Sequence, residues 1–407
     1  MASQAIDFSE CPGSAVLKAL ATAETGLEDF GDPARDAGLD AYVASVSEDS
    51  WPAMTTAARV LAVDYMVHQL ATRLRLIADR KAHPEIAAQE ITAPLIVVGP
   101  PRSGSTLLQT LLSLDPDNMT SEHWICREPS PPLALGAPSP ERLEAAEKRM
   151  MQLFELIPDV FITHPYMIEE GAGALAECGS DILSLAFTSQ QLWCFWGGDS
   201  YRDYLTEADH SAAMQLHREF LQHCQWGNTG KRWALKGSDH MLWLGELAAQ
   251  YPDARLIWTH RDLSQQLASL ASVQAILRGM NGQPVTPEIR AAQGRKAMDL
   301  QWAAIEKGMC AREQVGDSRF IDISYHDMMS DHVETVRQIY EWSGLTMSDA
   351  HIDAIREWQA NNAQTKHGTH KHSPEEFGMN PDQINAQFAA YTQKFGFGFG
   401  IRPGLTV

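Results

Sequence analysis

Apolar positions along the chain change period several times, and each change marks an element. From Met54 to Ala82, Val60, Val63, Val67, Leu70, Leu74 and Ile77 recur at steps of three and four residues, which predicts one long helix packed on a core. His83-Pro84 ends it, because the residue before a proline is pushed out of the helical region. Leu95 to Val98 is short, continuous and apolar, the pattern of a central strand buried on both faces of a parallel sheet. Gly99 to Ser105 is rich in Gly, Pro and Ser and reads as a turn. From Thr106 the helical period returns at Leu107, Leu108, Leu111 and Leu112.

The same alternation continues downstream. Lys231 to Lys236 predicts a second strand, with a turn through His240 and a helix to Gln250. Ala254 to Thr259 predicts a third, with His260-Arg261-Asp262 at its carboxyl edge and a helix from Leu263 to Leu277. Around this frame lie one or two helices before residue 50, broken at Gly31-Asp32-Pro33, and a loop from Asp115 to Pro132 that holds Glu122, His123 and Trp124. A helix follows over Pro138–Leu156 with a solvated charged face, then a mostly helical stretch, 172–225, with Trp193, Phe195, Trp196, Tyr201 and Tyr204 close together. Those rings read either as the core of a helical layer or as an apolar wall for a ligand. Strands alternating with helices give an α/β class: a P-loop-like three-layer fold, with a central parallel sheet flanked by helices, plus helical additions. Residues 1–90 read as a helical segment packed on the core. Residues 91–407 read as the α/β domain, with a helical insertion at about 135–228 and a C-terminal lid or tail.

Charge narrows the partners. With 32 Lys and Arg against 52 Asp and Glu, the net charge of −20 argues against general nucleic-acid affinity, which rests on neutralising phosphates. The cysteines at 11, 126, 178, 194, 224 and 310 form no C-x-x-C pair and read as reduced thiols. The first residues carry Asp7, Glu10 and Lys18 rather than a charged-then-apolar leader, and no apolar run is long enough to span a bilayer. The expectation is a cytoplasmic protein with no membrane span and no nucleic-acid partner, and a homo-oligomer is compatible with the chain.

The turn after the first strand carries the candidate chemistry. Strand, glycine loop and helix aim backbone N–H groups and a helix N-terminus at an anion. Gly99 and Gly104 have the separation of the nucleotide loop G-x-x-x-x-G-K-[ST], and Thr106 has its hydroxyl position. Ser105 stands where that loop has lysine, and the cation is Arg102 instead. A triphosphate site uses the lysine on the β- and γ-phosphates and a hydroxyl on the metal, so the change suits an anion bound without a metal clamp. Arg102, Lys236 and Arg261 each fall at the carboxyl end of a predicted strand, where ligands of open α/β sheets gather. Singly, each would be an ordinary solvated charge; three together, one inside the glycine loop, point to an anion site.

These residues carry a family resemblance. Arg102-Ser103-Gly104-Ser105-Thr106-Leu107 resembles the 5′-phosphosulfate loop of the sulfotransferases, and Arg261 followed by Ser269 resembles their 3′-phosphate motif. Leu235-Lys236-Gly-Ser-Asp-His240 and the segment Tyr251 to Arg261 are similar to the bacterial branch, as are Thr25 to Asp32 and His372 to Gly378. The resemblance implies 3′-phosphoadenosine 5′-phosphosulfate as donor and transfer of its sulfuryl group, without a metal, to a hydroxyl or amine of a small-molecule, lipid or glycan acceptor. It implies that Ser103, Gly104, Ser105, Thr106 and Leu107 cradle the 5′-phosphate, and that Arg102 neutralises the phosphosulfate. Arg261 and Ser269 would hold the 3′-phosphate, and Lys236 would meet the sulfuryl in transit.

Taking a proton from the acceptor needs a base. Related enzymes draw a His or Glu from the segment after the loop helix, which implies Glu122, then His123, then His164. Many of the bacterial branch carry Trp-Glu where this chain has Trp124-Ile125, a departure that bears on this assignment. Lys371, within His367-Gly-Thr-His-Lys-His372, would approach a donor phosphate from the C-terminal segment, and no fourth ligand accompanies those histidines to make a metal site. Two other classes fit the loop: a P-loop kinase or nucleotide-binding protein, recognised by dependence on magnesium and ATP, and a non-catalytic protein that binds adenosine bisphosphate and transfers nothing.

Overall fold

Five short runs build one sheet: β1 (Leu95–Val98), β2 (Asn118–Met119), β3 (Arg232–Lys236), β4 (Arg255–His260) and β5 (Phe320–Ser324). The computed structural model describes residues 7–164, 166–362 and 373–396. The strand order is β2-β3-β1-β4-β5, and every pairing is parallel. β1 lies in the middle because all four of its side chains are apolar and fully buried. Each contributes roughly 1.5–3 kcal/mol relative to exposure, which makes the centre of the sheet the favourable place for such a run. Val97 pairs with Lys236 on one side and Ile257 on the other, so the carboxyl ends of β3, β1 and β4 finish side by side. From β1 the chain goes first to one side of the sheet and later to the other. That makes the end of β1 a topological switch point, where a crevice opens.

The chain divides into two compact units, each assembled from separated segments. One comprises 7–91, 121–229 and 276–285; the other comprises 92–120, 230–275 and 286–396. The second unit holds the sheet. One of its cores packs Leu95, Val97, Ala234 and Ile257 beneath Leu108, Leu111 and Leu112 of the helix Ser105–Ser113 and Val336 and Ile339 of the helix His332–Ser343. On the other face the helix Pro287–Val315 comes so close that a Cβ at Gly308 would lie 2.4 Å from Met241 Cε and 3.2 Å from Trp258. Helices therefore cover both faces, and the three-layer α/β expectation holds.

The first unit is helical. Its long helix, Thr56–Ala82, starts where the Thr55 hydroxyl accepts from the Ala58 N–H and stops at His83, as the periodicity predicts. Trp193, Phe195, Trp196 and Tyr201 are at most 1% exposed. Tyr65 sets its ring edge-on against Phe195 and Trp196, and Tyr42 does the same to Tyr201. The rings at 193–201 are thus a core and do not form a wall open to a ligand.

Two local readings change. The stretch 115–132 is not a plain loop: it contains β2 and the one-turn helix His123–Arg127. The His123 N–H donates to Ala174 O, and the Ala176 N–H donates to Ser121 O, so partners about fifty residues away hold a turn too short for any period to reveal. β5 and the 29-residue helix Pro287–Val315 have no counterpart in the sequence reading. β5 buries only Phe320 and Ile323, with Asp322 exposed between them, and the helix contains Gly294 and Gly308 in place of a clean apolar stripe. No helix among the described residues is long and apolar enough to cross a membrane.

Candidate active site

The loop after β1 is held by close packing against the end of β4. Gly99 has φ 123°, and a Cβ there would lie 2.6 Å from Thr259 O, so a side chain is excluded on both counts. The Ser103 hydroxyl is fully buried. It donates to Pro100 O at 2.6 Å and lies 2.6 Å from Thr259 Oγ1, whose own hydroxyl reaches Val98 O at 3.2 Å. Gln266 Nε2 donates to Pro101 O at 2.8 Å. Gly104, at φ 90°, opens the helix Ser105–Ser113 under the ring of Tyr325, the residue that follows β5.

Cations gather at this rim. Arg102 has φ 69°, and its Nε donates to Ser269 Oγ at 3.0 Å. Arg261, one residue past β4, donates from Nη1 to the Arg102 carbonyl at 3.0 Å and from Nη2 to Gln265 Oε1 at 3.1 Å. Its guanidinium lies 4.3 Å from the centre of the Tyr325 ring, a cation–π contact. Its Nε–H is buried and has no partner among the described residues, a donor left over for a ligand. Lys236, the last residue of β3, donates to Thr106 Oγ1 at 3.1 Å. Ser105 is buried at the helix start, and Leu107 packs its side chain against the sheet core, so what Leu107 offers a ligand is its backbone N–H.

Arg102, Ser103, Gly104, Ser105, Thr106, Lys236, Arg261 and Ser269 therefore belong to one constellation in the second unit. The Ser269 hydroxyl is bonded by Arg102, and Arg261 is tied to the same point through the Arg102 carbonyl. Thr259, inside the segment Tyr251 to Arg261, takes part through its contact with Ser103, and Gln265, Gln266 and Tyr325 are further additions. The strand Phe320–Ser324, parallel to β4, puts the Tyr325 ring at the same edge.

The three base candidates lie in the first unit. Glu122 precedes the helix His123–Arg127 and is pinned by a bridge to Leu175. Burial pushes its carboxyl pKa up, while a hydrogen bond from Trp124 Nε1 works the other way. His123 is buried, with Nδ1 3.9 Å from Asp181 Oδ1. His164 ends the one-turn helix Val160–Thr163, and its Nδ1 lies 2.9 Å from the Thr163 hydroxyl. Lys371 and the histidines at 367–372 lie outside the described residues.

Residues 94–349 match the model of the sulfotransferase family. The crystal structure of sulfotransferase STF9 from Mycobacterium avium superposes with a TM-score of 0.84 at 28% identity, covering 96% of this chain and 99% of that one. Sulfotransferase STF1 from Mycobacterium tuberculosis H37Rv gives 0.76 at 26% identity, covering 94% and 99%. The omega-hydroxy-beta-dihydromenaquinone-9 sulfotransferase Stf3 of Mycobacterium bovis is 24% identical over 282 residues, 67% of this chain and 68% of its own length. Since the matched span runs from the strand before the glycine loop to beyond β5, the chain belongs to the sulfotransferase family and is a sulfotransferase.

Proposed function

We propose that this enzyme moves the sulfuryl group of 3′-phosphoadenosine 5′-phosphosulfate to a hydroxyl, or an amine, of a small-molecule, lipid or glycan acceptor. The observation that carries the donor assignment is the junction of Arg102, Ser269 and Arg261, with the Arg261 Nε–H buried and unused. Two linked guanidiniums and a hydroxyl suit a nucleotide charged at both its 5′ and 3′ positions; an ordinary adenylate would leave part of that set unsatisfied. The loop N–H groups and Thr106 would take the 5′-phosphate at the helix start, with Arg102 beside it. Lys236 would follow the sulfuryl oxygen and the charge growing on the leaving phosphate. In this reading the S–O bond to the leaving phosphate breaks as the acceptor oxygen bonds to sulfur, and the acceptor proton passes to a base. Such transfer relies on positioning and charge stabilisation.

Glu122 is the preferred base. Burial raises its carboxyl pKa, which makes the ionised carboxylate a stronger base than an exposed glutamate. For the acceptor, the name of the Stf3 relative specifies a hydroxyl on a menaquinone, which supports a lipid alcohol as the class to test first. A cytoplasmic site for the reaction is proposed on the scattered cysteines, which form no C-x-x-C pair.

Calorimetry tests the donor. Wild-type enzyme is expected to bind adenosine 3′,5′-bisphosphate more tightly than ATP, with that preference lost in Arg261→Ala. Lys236→Ala should keep its circular dichroism spectrum and lose turnover by about 100-fold or more with a verified acceptor. ATP preference, or wild-type turnover in Lys236→Ala, would remove the assignment. A screen of sulfur-35 donor against pooled alcohols, phenols, sterols, glycolipids and sugars identifies the acceptor.

A further inference from the structure

Behind Arg261 lies a second buried constellation that the reading above does not use. His260, the last residue of β4, is fully buried. Its Nε2 is 2.9 Å from Asp322 Oδ1 on β5, and its Nδ1 is 2.8 Å from the hydroxyl of Tyr391 on the helix Ala389–Phe395. Arg312 holds both Asp322 oxygens, at 2.6 and 2.9 Å. An ionised carboxylate only accepts, so Nε2 carries a proton, and burial favours the neutral imidazole, which leaves Nδ1 a lone pair. Tyr391 must then be the donor, and the chain of bonds has one direction: Tyr391 to His260 to Asp322.

Rings close the arrangement. Trp258 stacks on His260 with centroids 5.7 Å apart, and Phe395 lies 4.7 Å from the same imidazole. Tyr391 is itself fully buried, where a hydroxyl without a partner is costly, so a phenylalanine would suit the site better were His260 not there to accept. β5 ties the two halves of the arrangement together: Asp322 bonds His260, and Tyr325, just after the strand, lies under Arg261.

We propose that Tyr391 is a positioning residue that, through His260, sets the end of β4 so that Arg261 presents its guanidinium to the donor's 3′-phosphate, coupling the docking of the 389–395 helix to donor binding. This rests on the donor assignment above. The coupling is reciprocal: if docking favours the gripping orientation of Arg261, bound nucleotide must favour docking by the same factor.

The test combines hydrogen exchange with calorimetry, using full-length enzyme and adenosine 3′,5′-bisphosphate as probe. In the wild type, the nucleotide should slow exchange across residues 381–396. In Tyr391→Phe, it should bind about three- to tenfold more weakly, with its effect on that segment lost and kcat at saturating donor within about twofold of wild type. Ile339→Val, a buried core substitution on the other face of the sheet, controls for stability alone. It should lower Tm and leave nucleotide affinity unchanged. A Tyr391→Phe enzyme that loses Tm but keeps wild-type affinity overturns the coupling alone. Wild-type enzyme that fails to bind the bisphosphate overturns the donor reading, and the coupling with it.

Discussion

Arg102 holds φ 69°, a conformation that costs an L-residue about 1–2 kcal/mol, and it shares that property with Ala93 and Phe187 among the described non-glycine residues. The surrounding bonds over-determine it: its carbonyl accepts from Arg261, and its own Nε is spent on Ser269. Glu122 shows the opposite economy, a carboxyl whose burial disfavours its working form. Because its pKa lies above the ordinary carboxylate value, the ionised base is lost at a higher pH than an exposed glutamate would allow. The acid limb of kcat/KM against pH should therefore fall above the usual carboxylate range. Glu122→Gln should abolish that limb, cut turnover by about 10²–10⁴-fold and raise Tm at neutral pH, since an amide carries no charge to bury. Retention of the limb in Glu122→Gln would pass the role to His123 or His164.

Among elements, the strand–loop–helix unit depends on glycine where the chain meets its neighbours. At Gly104 a Cβ would fall 2.6 Å from Met328 Cε and 2.7 Å from Tyr325 Cδ2, at a φ of 90°. Gly104→Ala should lose about 1–3 kcal/mol by urea denaturation, and it should weaken nucleotide binding by displacing the ring beneath Arg261. Gly173→Ala, where the added carbon meets nothing within 4 Å, should stay within about 0.5 kcal/mol of wild type. Elements were legible in proportion to their length and local pattern. β1, the helix Thr56–Ala82 and the loop announced themselves, since buried runs and helical stripes are properties of consecutive residues. The helix His123–Arg127 did not, because contacts from residues 174–176 hold it.

Across the sheet-bearing unit, Asp322 joins β4, the helix Pro287–Val315 and the C-terminal helix through His260 and Arg312. Burial works against its ionisation, yet hydrogen bonds from His260 and Arg312 win and bring its pKa down from 3.8 to about 2. A depressed carboxylate stabilises the fold above its unfolded pKa and ceases to do so as pH falls through the folded one. Wild-type stability should therefore decline between about pH 4 and pH 2, the more so at low ionic strength because Asp322 is partly exposed. Asp322→Asn should flatten that part of the urea-midpoint profile and lower the midpoint at pH 7. The amino-acid sequence by itself determined the alternation of strands and helices, the glycine loop with its displaced cation, and a family signature, because each is written in neighbouring residues. Tertiary structure decided the partners: Ser269 to Arg102, Arg261 to Tyr325, Tyr391 to His260. Those pairings depend on strand order and register, which bring together residues far apart in the chain, by 167 and 131 positions for the Ser269 and Tyr391 pairs, and leave no trace in any local period.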